Sequence, residues 1–135
     1  MTVLIVDGQG GRLGKQLVKE VRERFPQLPL MAVGTNSMAT ESMLKAGADR
    51  AATGENAVVV ACRKADVIIG PVGIVIADAL LGEVTPAMAK AVGQSDGVRI
   101  LLPSDKCDTF IAGVGSTGMS ALVEDAMDKL ASLLK

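Results

Sequence analysis

The sequence predicts an α/β fold, a single doubly wound domain with a mainly parallel sheet. Three observations carry this. Short, β-branched apolar runs alternate with stretches of helical periodicity along the whole chain. The runs are continuous rather than alternating in polarity, which suits strands buried on both faces of a parallel sheet. The length, 135 residues, suits one domain, and no linker, internal repeat or low-complexity stretch divides it.

Each element has its own justification. Val3-Leu4-Ile5-Val6 is the first strand. Helical spacing follows over 12–25, with Leu13, Leu17, Val18, Val21 and Phe25 on one face and Arg12, Lys15, Lys19 and Arg22 on another; Pro26 ends it. Leu30-Met31-Ala32-Val33 is the second strand. Asn36 or Ser37 caps a second helix to about Ala46, and Gly47 suits the left-handed position after it. A short strand covers 50–52, and Thr53 reads as the N-cap of a helix over 55–63. The run Val58-Val59-Val60 locally favours a strand, but that strand would nearly abut the better one at 67–69, so the helix stands. Residues 74–81 are apolar nearly all round apart from Asp78, which predicts a helix that is buried or covered by a partner. Thr85-Pro86 caps and opens a helix to about Val92. Residues 98–102 form a strand, and Phe110-Ile111-Ala112 another at a sheet edge. Met119, Leu122, Val123, Ala126, Met127, Leu130, Leu133 and Leu134 recur at threes and fours and define the last helix.

Composition excludes much chemistry. There is no His, Tyr or Trp, and only two Phe, Phe25 and Phe110. Without His there is no Ser-His or Cys-His nucleophile pair, no imidazole base and no HExxH zinc site. With so few aromatics there is no stacking platform for single-stranded nucleic acid. A net charge of −1 gives no footprint for duplex nucleic acid or a membrane surface. Two cysteines make neither a disulfide framework nor a zinc knuckle, so no metal is expected. The start, MTVLIVDG, lacks a basic segment followed by a long apolar run, so no signal peptide is expected. The longest uncharged apolar run, 67–77, falls short of the roughly 18 residues of a membrane span. A reduced cytoplasm is the expected compartment.

In an open parallel sheet, ligands bind outside the carboxyl ends of the strands. The loop after the first strand, Asp7-Gly8-Gln9-Gly10-Gly11-Arg12-Leu13-Gly14, joins a buried strand to an amphipathic helix, the context a glycine fingerprint requires. It lacks the strict G-x-G-x-x-G, since Leu13 holds the third glycine's place, but Gly8, Gly11 and Gly14 satisfy G-x-x-G-x-x-G. Arg12 and Lys15 sit in the first helical turn, where the helix dipole disfavours cations and a bound phosphate would offset it. The bland alternative makes these cations a solvated face and the glycines a tight turn. Asp7 opposes the phosphate reading. Gly34-Thr35-Asn36 lies about twenty residues on, where an acid would hold an NAD ribose; Thr35 and Asn36 are there instead, to bond a ribose hydroxyl or 2′-phosphate, or in Asn36's case to cap the helix. Gly70-Pro71-Val72-Gly73 passes a ligand closely or is only a stiff turn. Glu55 suits ordinary dipole complementation, and Cys107, beside Lys106, reads as a loop thiol with no base to activate it.

The stretch from Gly8 to Leu17, GQGGRLGKQL, resembles the nucleotide-binding turn of dihydrodipicolinate reductases, which use NADH or NADPH. The likeness covers residues 3–20 and implies cofactor contacts for Gly8, Gly11, Arg12 and Gly14. The reductase's substrate domain has no counterpart. Over its whole length, the chain resembles a short bacterial family known only as a domain of unknown function, through DGQGG at 7–11, GTN at 34–36, ATGENA at 52–57, GPVGI at 70–74 and GEVTP at 82–86. That resemblance implies a Rossmann-like fold.

The leading expectation is a small cytoplasmic Rossmann-like domain, spanning 1–135, that binds a nucleotide or another phosphate-bearing small molecule, with NAD(P) foremost. Its candidate contacts are Gly8, Gln9, Gly10, Gly11, Arg12, Gly14, Thr35, Asn36, Gly70 and Gly73. A second reading is an enzyme on a small phosphorylated or carboxylated metabolite, using Asp7, Glu55, Asp105 and Lys106. A third is a regulatory or assembly subunit that forms a homo-oligomer through 74–81.

Overall fold

The computed structural model describes residues 1–104 and 108–135. Five strands form one parallel sheet among the described residues: β1 (Val3–Asp7), β2 (Leu30–Gly34), β3 (Arg50–Thr53), β4 (Val67–Pro71) and β5 (Val98–Leu102). Their order is β3-β2-β1-β4-β5. The chain builds outward from β1 to β3, then crosses back to lay β4 on the other side of β1. The strand order therefore reverses between β1 and β4. Among the described residues, five α-helices connect the strands and close the fold: α1 (Arg12–Arg24), α2 (Ser37–Ala46), α3 (Glu55–Lys64), α4 (Pro86–Gln94) and α5 (Met119–Leu133).

Strand alternation sorts the side chains into two cores. Val3, Ile5, Leu30, Val67 and Ile69 pack with Leu17, Val18 and Val21 of α1, Met43 of α2 and Met127 and Leu130 of α5. Leu4, Val6, Met31 and Ile68 pack on the other face with Val58 and Cys62 of α3 and Met88 and Val92 of α4. All five residues of β1, β2 and β4 are buried, hence their unbroken apolar runs. Burial pushes the Cys62 thiol up to about 11, so this cysteine is a packing residue. None of the helices is long and apolar enough to cross a membrane, among the described residues.

The register decides where function can sit. Asp7 lies opposite Gly34, Gly34 opposite Thr53, and Pro71 opposite Leu102. The strands' carboxyl ends thus finish together on one edge, and the loops that follow β1, β2, β3 and β4 leave from it.

The expected elements depart from the structure at three places. Residues 74–81 are not a helix. A 3-10 turn (Val72–Val75) is followed by tight turns in which Asp78, Leu80 and Leu81 have φ of 66°, 58° and 56°, values a right-handed helix cannot contain. The apolar character serves burial of Ile74, Ala79 and Leu80 in the α3–α4 core, with Leu81 left fully exposed. Residues 110–112 form no strand: Phe110 is 89% exposed, and turns with positive φ at Asp108 and Gly113 bracket the segment. The α3 N-cap is Gly54 (φ 100°) rather than Thr53, whose hydroxyl lies 2.7 Å from that of Thr40.

Candidate functional site

A cavity of about 580 Å³ opens at the carboxyl edge, at the β1/β4 reversal. Its volume falls in the range of small-ligand sites, and its place is where open parallel sheets bind ligands. One wall is the β1–α1 turn, 7–13. The other is the stretch after β5, chiefly Ser104, Phe110, Val114, Ser116, Thr117 and Met119. Pro71 of β4, Leu80 and Leu102 lie between.

The turn's shape follows from its own sequence. Asp7 ends β1, and its carboxylate accepts the Gly8 N–H at 2.8 Å and the Gly14 N–H at 2.7 Å. It is the buried charged side chain among the described residues, and two charge-assisted bonds offset its loss of water. Gly11 has φ 75°, and a Cβ there would meet Ala39 Cα at 2.8 Å, so a left-handed turn and close contact with α2 both require glycine. At Gly14 a Cβ would meet Met43 Sδ at 2.6 Å and Asp7 Cβ at 2.8 Å. Gly11 caps α1 with no side-chain acceptor. Among the described residues, the N–H groups of Arg12 and Leu13 meet no acceptor, and Arg12 forms no ion pair. Opposite, α5 also begins without a side-chain cap, at Gly118, with Ser116 and Thr117 just before it. Two helix N-termini with open backbone donors therefore border one cavity.

Glu83 holds the turn in place from outside. Its Oε1 accepts the Gln9 N–H at 2.9 Å, the Thr35 hydroxyl at 2.7 Å and the Asn36 amide at 2.8 Å. Burial raises the Glu83 pKa, but these three donors outweigh burial and hold it below the ordinary glutamate range. Asn36 also accepts the Ala39 N–H at 2.9 Å, as the α2 N-cap, and donates to the Gln9 carbonyl at 2.8 Å.

Of the sequence-derived candidates, Gly8, Gln9, Gly10, Gly11 and Arg12 line the cavity; Gly14, Thr35, Asn36, Gly70 and Gly73 do not. Gly14 serves helix–strand packing, and Thr35 and Asn36 are engaged with Glu83. Gly70 is buried in β4, where a Cβ would run into the Val6 carbonyl. Gly73 is buried in the 3-10 turn. Among the proposed acid–base groups, Asp7 borders the cavity, whereas Glu55 accepts the Thr85 hydroxyl at 2.6 Å on another part of the edge. Asp105, Lys106 and Cys107 lie outside the described residues. Sequence reasoning missed Glu83 and the wall at 110–119. A long glycine-bearing stretch without periodicity before α5 was the available signal for that wall; Glu83 had only its place between Gly82 and the Thr85-Pro86 cap.

Over residues 2–135 the sequence matches the family model described as "Domain of unknown function (DUF3842)". The chain belongs to this family. No curated protein matches it. In structure the chain is similar to a dodecameric FMN-dependent Ubix-like decarboxylase from Escherichia coli O157:H7, with a TM-score of 0.50 and 18% identity over 96% of this chain and 76% of that one. At that identity the likeness is one of fold, and it supports a Rossmann-like architecture for this family member.

Proposed function

We propose that this chain is a cytoplasmic nucleotide-binding domain whose carboxyl-edge cavity holds the phosphate of a nicotinamide or flavin nucleotide. The observation that carries this reading is the pair of helix N-termini, α1 and α5, facing one cavity without side-chain caps. An anion there meets two favourable helix dipoles, open N–H groups, the Ser116 and Thr117 hydroxyls and Arg12, which forms no ion pair among the described residues. The apolar remainder, with Phe110, Val114 and Met119, suits the flat ring of such a ligand. Likeness of the glycine turn to dihydrodipicolinate reductases favours NAD(P); the FMN dependence of the structural neighbour favours a flavin. The chain's own groups bind and orient. There is no His in the sequence, and Asp7, the acid–base candidate that borders the cavity among the described residues, is tied to two amides, so this reading gives proton transfer near neutral pH to the bound group or a partner.

Calorimetric titration with FMN, FAD, NADH and NADPH tests the reading. Binding of at least one of them in the micromolar range is expected, weakened about tenfold by Arg12→Ala, since a charge-assisted contact contributes roughly 1.5 kcal/mol. No binding of any of them at millimolar concentration overturns it.

Self-association is part of the same reading. It is supported by the fully exposed Leu81 in the 74–81 segment and by the dodecameric state of the structural neighbour.

A further inference from the structure

A dinucleotide in a doubly wound fold straddles the crevice at the strand reversal. Its pyrophosphate sits at the first helix N-terminus, and the ribose of one half is held just past the end of β2. The two halves of this crevice are unequal. On the side of β4 and β5 lies the cavity. On the side of β2 the chain fills the space itself. Leu80 and Glu83 are laid over Gly8 against Thr35, so closely that a Cβ on Gly8 would fall 2.8 Å from Leu80 Cδ1, 2.6 Å from Thr35 Oγ1 and 3.2 Å from Glu83 Oε1. Leu80 is buried although it has a φ of 58°. A left-handed leucine persists where its surroundings over-determine it. The groups that would receive a ribose are engaged: Thr35 and Asn36 donate to Glu83, and Asn36 also caps α2. No residue of the β2–α2 loop lines the cavity.

We infer that the site takes a mononucleotide and excludes the second half of a dinucleotide, with Leu80 and Glu83 as the specificity-determining pair. This rests on the nucleotide reading above and narrows its ligand class. The phosphate lies between the N-termini of α1 and α5, the ring lies against the apolar wall after β5, and the path toward β2 is closed.

The test compares matched pairs on the intact chain: FMN against FAD, and nicotinamide mononucleotide against NAD. The expected result is that a mononucleotide binds at least tenfold more tightly than its dinucleotide. Equal or tighter binding of FAD or NAD overturns the inference while leaving the nucleotide reading standing. No binding of any of the four overturns the inference, and the failure of NADH and NADPH as well ends the nucleotide reading. Leu80→Ala, checked for folding by circular dichroism, assigns the cause. Narrowing of the ratio by threefold or more supports the closed path, and an unchanged ratio in a folded variant removes Leu80 from the specificity pair. If Leu80→Ala fails to fold, Glu83→Ala, which removes the side chain that fills the path, is read by the same criterion for Glu83.

Discussion

Glu83 shows how much one side chain decides in this molecule. One carboxylate oxygen joins three segments, the glycine turn through Gln9, the end of β2 through Thr35, and the α2 cap through Asn36. Its charged form is favoured by those donors, so its native pKa is lower than the ordinary value of 4.5. A carboxyl depressed in the folded state adds stability that is complete above its unfolded pKa and lost as pH falls through the native one. Glu83→Gln should therefore cost about 1–2 kcal/mol at pH 7, and the gap to wild type should shrink as pH falls below 4.5. Urea melts of both proteins at pH 7, 5, 4 and 3 measure this. A gap that stays constant over the series would show that the carboxylate charge is not what holds the turn. Asp7 is the complementary case. In the sequence it reads as an obstacle to phosphate. In the structure it accepts the Gly8 and Gly14 amides, which the residue's identity alone does not reveal.

At the scale of elements, the β1–α1 unit was the most legible part of the sequence. The strand, turn and helix are local patterns, and α1 runs over Arg12–Arg24 as its spacing implies. Its glycines, alike in sequence, differ in duty. Gly11 adopts a positive φ and has Ala39 Cα 2.8 Å from its would-be Cβ, while nothing lies within 4 Å of the Cβ position at Gly10. Gly11→Ala should cost about 2–3 kcal/mol through strain and the α2 contact; Gly10→Ala should stay within about 0.5 kcal/mol of wild type. Thermal and urea denaturation of the two variants check this, and equal costs would refute the division of roles. The segment 74–81 was the least legible element. An apolar stretch has no periodicity to separate a buried helix from buried turns, and three positive φ values in the 78–81 stretch settle it only in three dimensions.

For the whole molecule, strand order is what turns scattered loops into one candidate site. The order β3-β2-β1-β4-β5 places the reversal beside β1, where the 7–13 turn and the stretch after β5 meet across a cavity. The same scale governs assembly. With Ile74, Ala79 and Leu80 already in the chain's own core, the proposed self-association through this segment would fall to the exposed Leu81. Light scattering is expected to find an oligomer for wild type and a shift toward monomer for Leu81→Ser. A strictly monomeric wild type would remove the assembly reading.

By itself the sequence determined the α/β class, nearly every strand and helix, and the glycine turn that opens α1. These follow from hydrophobic period, caps and breakers within a few residues of each other. Tertiary structure alone decided that Glu83, 74 residues from Gln9, holds the turn, that Thr35 and Asn36 are engaged before any ligand arrives, and that the second wall comes from 110–119. Those relations depend on which strands become neighbours and in what register, and side-chain periodicity, which is blind to strand order, carries no record of them.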